Sequence, residues 1–406
     1  MTERGTYLST KNRSQCTGCE ACVQICAPGA ISMQTDSEGF RYPVIDKAKC
    51  VECGRCVERC PSGEMELFYQ NEQHCFGGYS NDIEVLQKST SGGAFSEIVK
   101  SWCDENYVVF GAVQNEQLVV EHTYITDIAD LDILRRSKYS QSRIGTAFCD
   151  CKRFLDEGKK VLFSGTPCQI AGLKAYLGGK EYPRLLTIDV VCEGVPSPKY
   201  MQSYMTYLEE KHKSKIVSLD YRDKDTDRWD FEVMSVLFEN GKTYKIDRWF
   251  NPFWDIWLNH IMSRPSCYEC LYTSTNRVSD ITIGDLWGVH IFCPDLYNDN
   301  RGSSLMLCNT EKGLAVLNNA KERMTMRELE LDTVRNYSAP MRKRIPYNEH
   351  REEFMNDIDT MPFIALKKKW YRKPSIKLLI SKYVYGSNRQ KVNRYLRKQK
   401  RSNKKG

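Results

Sequence analysis

Two copies of one cysteine pattern constrain what this chain can fold into. Each copy reads C-x2-C-x2-C-x3-C, and adding 34 to the number of any cysteine in the first copy gives its counterpart in the second. Three cysteines spaced in this way wrap one iron–sulfur cube, and the fourth ligates the cluster of the other copy. The spacing therefore predicts two [4Fe–4S] clusters, one held by Cys16, Cys19, Cys22 and Cys60 and one held by Cys50, Cys53, Cys56 and Cys26.

Structural zinc is the alternative for paired cysteines, because CxxC pairs also bind zinc. Zinc needs four ligands per site, normally from two CxxC pairs separated by a longer loop. That arrangement leaves the third closely spaced cysteine of each copy unexplained. We favour clusters, and the stretch 16–61 resembles a bacterial-type two-cluster ferredoxin along its whole length.

Length and composition leave room for much more than this small domain. The chain has 406 residues and 41% hydrophobic residues, enough for two or three domains with a core. Its 18 cysteines follow no apolar leader segment, which favours a reducing cytoplasm where thiols serve as metal ligands. No apolar run approaches the roughly 18 residues of a membrane helix.

The positive charge belongs to the C-terminal part of the chain. Residues 367–406 contain 16 Lys or Arg and no Asp or Glu. Because the net charge of the whole chain is +7, the other residues together carry a charge of −9. A solvated charge run is one interpretation. A basic helix on the inner face of an anionic membrane is another, because five apolar residues recur near helical spacing: Trp370, Ile376, Leu379, Ile380 and Tyr383. Phosphate charge alone would attract nucleic acid, but no recognition motif favours it.

Strands and helices alternate in the middle of the chain. Strand patterns at 160–164 and 185–191 are each followed by a helix, which predicts parallel strands joined by right-handed crossovers. Cys168 and Cys192 would then lie at the edge of the sheet where α/β proteins bind ligands. Further on, Asn240-Gly241 predicts a hairpin within antiparallel strands at 217–221, 229–238 and 242–246.

These patterns predict an α+β / α/β protein. We expect a small ferredoxin-like two-cluster domain at 1–70, a linker at 71–87, a mixed α/β domain at 88–345 and a basic tail at 346–406.

Four further cysteines lie in turns next to regular structure, namely Cys168, Cys192, Cys267 and Cys270. They could hold a third [4Fe–4S] cluster or zinc, or they could be buried and inert, as scattered cysteines often are. The remaining cysteines are interpreted as structural: Cys75, Cys103, Cys149, Cys151, Cys293 and Cys308.

Two polar segments are candidates for binding a phosphate. Ser91, Gly92 and Gly93 stand just before a predicted helix, where free backbone N–H groups bind anions or simply cap the helix. The basic run 136–143 suits a phosphorylated cofactor or a solvated loop equally well. No Ser–His–Asp set and no carboxylate pair indicates hydrolysis, and no catalytic residue is predicted.

Five motifs, in order between about residues 14 and 290, carry a family resemblance: KSTSGGAFSEI, KYSQSRIG, VLFSGTPCQIAGLKAYL, VVCEGVPSPKY, and CYEC with RVSDITIGDLWG. They resemble the coenzyme F420 hydrogenase/dehydrogenase beta-subunit family, in its form fused to a two-cluster ferredoxin. The resemblance implies a flavoprotein that passes electrons between clusters and a two-electron carrier, the deazaflavin, through FAD. It also implies the third cluster, and FAD contacts at Ser91, Gly92, Gly93, Lys138 and Ser142. No G-x-G-x-x-G fingerprint independently supports the flavin.

Glu193 follows Cys192 where the family often has His, a departure that bears on the native electron partner. Relatives of the fused form also occur beside enzymes of surface-polysaccharide biosynthesis, so a redox step on a sugar or lipid-linked intermediate is a second expectation of the resemblance. A non-enzymatic electron carrier that docks a partner enzyme is the alternative from another class, and a zinc-stabilised interaction protein is a third. The expected partner is a redox protein or a hydride carrier.

Overall fold

A computed structural model describes residues 5–63, 65–69, 71–224 and 229–384. Its strands are β1 Ile31–Thr35, β2 Arg41–Ile45, β3 His74–Ser80, β4 Tyr107–Gln114, β5 Val120–Ile125, β6 Lys160–Gly165, β7 Leu185–Val190, β8 Ile216–Asp220, β9 Met234–Phe238, β10 Thr243–Ile246, β11 Ile281–Asp285, β12 Ser304–Cys308 and β13 Met324–Glu328.

The α-helices that accompany these strands are α1 Tyr7–Thr10, α2 Ala21–Gln24, α3 Arg55–Glu58, α4 Ile83–Lys88, α5 Ala94–Trp102, α6 Ala147–Asp156, α7 Pro167–Tyr176, α8 Pro198–His212, α9 Pro252–Leu258, α10 Pro265–Tyr268, α11 Val289–Phe292, α12 Glu311–Ala320, α13 Leu331–Arg335, α14 Arg351–Thr360, α15 Phe363–Trp370 and α16 Ile376–Leu379.

The largest sheet has eight strands in the order β13-β3-β12-β11-β7-β6-β4-β5. Its middle strands β11, β7, β6 and β4 are parallel, as the alternation of strands and helices predicts. The outer pairs are antiparallel. The mixed α/β fold class is therefore confirmed, and a sheet of this kind presents the carboxyl ends of its parallel strands at one edge.

Helices cover both faces of this sheet, which explains the unbroken apolar runs of its central strands. In β6, Val161, Leu162 and Phe163 are all fully buried. Val161 and Phe163 pack into the cluster that contains residues of α6 and α7. Leu162 faces the opposite side, among residues of α5 and α12. The alternation of side chains along a strand thus places one layer of core on each face.

The N-terminal unit is a small domain around the hairpin of β1 and β2, which pair antiparallel. It docks on the rest of the chain through polar contacts. Glu38 in the hairpin turn accepts two hydrogen bonds from Arg351, at 2.8 and 2.6 Å. The Gln24 side chain accepts hydrogen bonds from the backbone N–H groups of Phe148 and Cys149, at 3.0 Å each. The Gln24 contacts hold the domain against the first turn of α6.

A second sheet of three strands, in the order β10-β9-β8, packs against an aromatic core. The hairpin predicted at Asn240-Gly241 joins β9 to β10 and is confirmed. The predicted strand at 229–238 is partly wrong, because residues 229–231 form a 3-10 helix and the strand begins at Met234.

The segment 71–87, expected to be a linker, instead forms β3 and most of α4. β3 lies inside the large sheet between β12 and β13, so it is part of the fold.

The expected tail at 346–406 is also wrong in its first part. Helices α14 and α15 insert Phe354, Phe363 and Leu366 into the aromatic core, and each of these side chains is at most 4% exposed. Beyond them, Ile376 is 76% exposed. The five apolar residues predicted to face a membrane lie between Trp370 and Tyr383. Trp370 packs against the aromatic core and donates to Asp357 at 2.8 Å, and the membrane contact remains a prediction. Residues 385–406 lie outside the described part of the chain. No helix within the described ranges has the length and apolarity that a membrane crossing needs.

Candidate metal centres

The first cysteine set borders a single cavity. Cys16, Cys19, Cys22 and Cys60 all line it, together with other residues of the N-terminal domain. Burial raises the pKa of the Cys19 thiol, and the nearby Cys60 raises it further. Crowded, poorly hydrated thiols resist ionisation unless a cation neutralises them. The donor chemistry of this cavity therefore suits an iron–sulfur cube.

The second set lies at the surface. Burial raises the pKa of the Cys56 thiol, and Cys26, Cys50 and Cys53 raise it further because they lie close to it. The backbone N–H of Ala30 donates to the Cys26 sulfur at 3.3 Å. Cys53 is exposed. The structure thus brings together the same two groups of four that the spacing indicates, with the fourth cysteine of each run beside the other run.

The third set gathers at the carboxyl edge of the large sheet. Cys168 lies in the first turn of α7 after β6, and Cys192 follows β7, the adjacent parallel strand. Cys267 lies in α10, and a Cβ built on Gly194 would lie 3.6 Å from its sulfur. Strands and loops distant in sequence therefore converge here, as expected for the switch region of an α/β sheet.

The thiols of the third set influence each other strongly. The pKa of Cys168 is raised to about 11 and that of Cys267 to about 12, mainly by burial and in part by the nearby Cys270. Burial also raises the pKa of Cys192 well above its usual value, with contributions from Cys267 and Cys168. Two sulfurs already accept backbone hydrogen bonds, from Gly194 to Cys192 at 3.4 Å and from Tyr272 to Cys270 at 3.5 Å. Such N–H···S contacts stabilise ligating thiolates.

The first and third sets are neighbours across α7. A Cβ built on Gly172 would lie 2.9 Å from the Cys19 Cβ and 3.1 Å from its sulfur. Gly172 stands one helical turn after Cys168, so a single helix contacts both sets. Close to both sets lies the Tyr272 phenol, which is buried and has no hydrogen-bond partner among the described residues. An orphaned buried donor beside cysteine thiols fits an acceptor such as cluster sulfide.

Within the described ranges, no three His, Cys, Asp or Glu side chains converge closely enough to hold one single metal ion. The ligand role of each cysteine therefore stays a prediction from spacing and resemblance. The other six cysteines join neither the first, second nor third set; Cys149, for example, accepts a hydrogen bond from the Tyr176 hydroxyl at 3.4 Å.

Each of the five predicted FAD contacts touches other residues of the chain. The Lys138 ammonium donates to three backbone carbonyls, the closest at 2.7 Å, and the Ser142 hydroxyl accepts from Gln169 at 2.8 Å. Ser91 donates its hydroxyl to the Ser303 carbonyl at 2.8 Å. A Cβ on Gly92 would lie 2.5 Å from the Gly78 carbonyl oxygen, and one on Gly93 would lie 2.9 Å from a Val85 methyl carbon. These contacts help to hold the two segments in the fold, and the flavin role of the five residues stays a prediction.

Sequence reasoning missed a pair of cations near Ser91, the buried Arg222 and the half-buried Lys224. Burial lowers the pKa of Lys224 to about 7, an effect that Asp285 opposes and Arg222 reinforces. The Lys224 ammonium donates to the Ser91 carbonyl at 2.6 Å, and Arg222 pairs with Asp285 at 2.9 Å. Trp229 stacks on Trp287 nearby, with ring centroids 4.9 Å apart. In the sequence these residues read only as a charged turn and a strand end.

Glu193 connects this cation group to the third set. It follows Cys192 directly, and burial raises the pKa of its carboxyl, with Arg248 lowering it and Glu232 raising it. Glu232 in turn approaches Arg222 at 3.3 Å. The third set and the cation group are therefore separated by only a few side chains.

Arg264 was also missed. It stands three residues before Cys267, and its guanidinium donates to the Cys16 carbonyl at 2.8 Å. No local pattern marks such a residue, since its partner lies 248 positions away in the sequence.

Family models agree with this arrangement. Residues 158–333 match the model that describes the C-terminal region of the beta subunit of coenzyme F420 hydrogenase/dehydrogenase. Residues 15–64 and 42–105 each match a model described as a 4Fe-4S dicluster domain. No curated protein sequence matches the chain. Among solved structures, a chain of the F420-reducing [NiFe] hydrogenase complex from Methanosarcina barkeri is 17% identical with a TM-score of 0.43, and the match covers 76% of this chain and 97% of that one.

Proposed function

We propose that this chain, an iron–sulfur oxidoreductase of the coenzyme F420 hydrogenase/dehydrogenase beta-subunit family, passes single electrons along three clusters to a two-electron carrier or substrate. One observation carries the proposal: twelve cysteines form three adjacent sets. Beyond the effect of burial, Cys56 raises the pKa of Cys22, and Cys168 raises the pKa of Cys19. Each of these pairs joins two neighbouring sets, so the order along the path is second, first, third.

Electrons would enter or leave at the second set. Its loop is exposed, with Val51 68% and Val57 38% exposed beside Cys53. A redox protein needs close approach to a cluster, and weak electron-transfer encounters use small surfaces. We infer that such a partner docks on this loop.

The other terminus of the path lies beside the cation group of Arg222 and Lys224. Lys224 is half-buried and its pKa is lowered to about 7, so it regains its charge when an anion binds next to it. This chemistry favours an anionic carrier or substrate, such as a phosphorylated cofactor or a sugar phosphate. The stacked pair Trp229 and Trp287 would offer an apolar wall to a ring.

FAD, the deazaflavin and a polysaccharide intermediate are the finer parts of the proposal, and resemblance alone supports them. We derive no step through a flavin. The second candidate function is an electron carrier that docks a partner enzyme and holds no flavin itself.

Iron, acid-labile sulfide and flavin content per chain, measured on protein purified without oxygen, test the proposal. Three cubes give about twelve iron per chain. Replacing Cys192 by serine should lower this to about eight iron. Replacing Cys151, a fully buried cysteine outside the sets, should leave the iron content unchanged. About eight iron in the unaltered protein would remove the third cluster from the proposal.

A content of one flavin per chain, followed by turnover with deazaflavin, NAD(P)H or sugar nucleotides, would support the oxidoreductase that uses a hydride carrier. Twelve iron with no flavin, even after incubation with FAD, would favour the electron carrier.

A further inference from the structure

Arg264 is a buried cation between two cysteine sets. Its backbone adjoins the third set, and its side chain contacts the first set. It is 1% exposed and directly precedes α10, the helix that carries Cys267. Its carbonyl accepts from the Cys267 N–H at 2.8 Å, and its own N–H donates to the Val195 carbonyl at 3.0 Å. Any change in its side chain therefore acts at the boundary between the first and third sets.

The guanidinium is held by four hydrogen bonds, three to the N-terminal domain and one to Gln141. Nε donates to the Cys16 carbonyl at 2.8 Å, and Nη2 donates to the Arg41 carbonyl at 2.9 Å. Nη1 donates to Gln141 Oε1 at 3.0 Å. Nη2 also lies 3.5 Å from the sulfur of Cys16, a predicted cluster ligand. The planar fork of arginine makes this fixed geometry specific.

Arg264 differs from other buried arginines in having no acid beside it. Arg222, Arg277 and Arg351 each pair with a carboxylate. In the described part of the chain, no Asp or Glu oxygen lies within the 4.0 Å ion-pair limit of Arg264. A buried charge without a counter-charge is costly. An iron–sulfur cluster with four thiolate ligands carries net negative charge and would supply that counter-charge.

Arg264 also adjoins the third set. It lies three residues before Cys267, and its carbonyl accepts the hydrogen bond from the Cys267 N–H. The hydrogen bonds of its guanidinium reach no cysteine of the second set.

We propose that Arg264 raises the reduction potentials of the first and third clusters. A fixed positive charge stabilises the reduced cluster, which carries one more negative charge than the oxidised one. The second cluster, whose cysteines the Arg264 guanidinium does not contact, lies outside this effect. This inference rests on the proposed function, because it requires the clusters to be present.

Arg264→Gln tests it, since glutamine keeps hydrogen-bonding groups and loses the charge. In iron-replete protein, the reduction potentials of the first and third clusters should fall by at least about 59 mV, as measured by EPR-monitored redox titration. This fall corresponds to a tenfold shift of the one-electron equilibrium toward the oxidised cluster. The second cluster should shift less than threefold. Arg264→Lys should restore at least half of the loss. Arg323→Gln, which removes an arginine that contacts Glu97 and Ser101 and no cluster cysteine, is the matched control.

Unchanged potentials in iron-replete Arg264→Gln would overturn the role of Arg264 while leaving the proposed function intact. An unaltered protein with fewer than about twelve iron would count against the proposed function instead. If Arg264→Gln does not fold, Gln141→Glu replaces it, because a carboxylate in contact with the guanidinium cancels its charge. That variant should lower the same two potentials, and three unchanged potentials in it would also overturn the inference.

Discussion

A methyl group added at Gly18 should loosen the first cluster far more than one added at Gly54. Both glycines have a φ of 72°, a left-handed conformation that costs alanine strain. A Cβ on Gly18 would lie 2.9 Å from Arg264 Nη1 and 2.8 Å from Gln141 Nε2. A Cβ on Gly54 would meet nothing within 4 Å. Gly54→Ala is therefore a matched control for the backbone cost alone.

The difference follows from two separate costs. The left-handed conformation costs an alanine about 1–2 kcal/mol at either position. At Gly18 the added carbon must also displace a guanidinium held by four hydrogen bonds. Overpacking of this kind costs roughly 1–3 kcal/mol more. We therefore expect Gly18→Ala to be less stable than Gly54→Ala by that second amount.

The rate of iron release to a chelator in moderate urea, without oxygen, measures this difference. If opening of the loop precedes release, an extra cost of about 1–3 kcal/mol accelerates release by between about 5-fold and 150-fold. Gly18→Ala should therefore lose iron faster than Gly54→Ala by a factor in that range. Equal release rates in the two variants would show that Arg264 does not pack against the first loop, and the reasoning would fail.

Three further outcomes are expected. Gly172→Ala, normally stabilising by about 1 kcal/mol within a helix, should instead lower the iron content, because its Cβ would lie 2.9 Å from the Cys19 Cβ. Arg277→Met should lower the free energy of unfolding by about 3–5 kcal/mol, because it leaves the fully buried Asp189 carboxylate unpaired. A double variant that also carries Asp189→Leu should recover most of this loss. Burial lowers the pKa of His122 to about 4 in the folded chain, whereas an unfolded histidine has a pKa near 6.5. As the pH drops from about 6.5 to 4, the unfolded chain therefore binds the proton first. The free energy of unfolding should fall by about 1.4 kcal/mol per pH unit over that range. Urea unfolding of His122→Gln across that range should show a smaller dependence on pH.

The features that could be predicted from the sequence are those carried by local spacing. The spacing of the two cysteine runs predicts which cysteines lie together, because those cysteines sit in tight loops. The parallel pairing of β6 and β7 follows from the short βα units that contain them. The position of Cys168 and Cys192 at strand ends follows from the same pattern.

The strand β3 could not be predicted because its sequence, HCFGGYS, reads as a flexible turn. Glycine is required at two positions of this strand because neighbouring residues leave no space for a Cβ atom. A Cβ on Gly77 would lie 2.6 Å from a Leu286 methyl carbon, and one on Gly78 would lie 2.5 Å from the Thr325 carbonyl oxygen. Tertiary packing therefore decides the residue type, and strand propensity does not.

The sequence also does not show whether the predicted flavin contacts are free to bind a ligand. A basic, hydroxyl-rich run such as 136–143 shows which donors are present, and it does not show whether the protein uses them itself. Lys138 donates to three carbonyls at the end of a 3-10 helix, a role that no spacing rule distinguishes from phosphate binding.

The two cysteine loops have the same backbone conformation, but each has its glycine at a different position. This difference explains how one motif fits both a buried and an exposed environment. Position 18 of the first loop corresponds to position 52 of the second, and position 20 to position 54. Positions 18, 52, 20 and 54 all have positive φ, at 72°, 53°, 61° and 72° respectively. The first loop has its glycine at position 18, where Arg264 packs, and the second has its glycine at position 54, where space is open.

The side chains at the exchanged positions follow the same division. Glu20, 7% exposed, pairs with Arg41 at 2.7 Å and accepts a hydrogen bond from the Gly145 N–H at 3.3 Å, so it joins the first loop to the α/β domain. Glu52 is exposed. One repeated motif thus forms an inner loop that contacts the third set and an outer loop that faces solvent. On the proposed electron path, a protein partner would exchange electrons at the outer loop, because it is the accessible one of the two, and the inner loop would relay them.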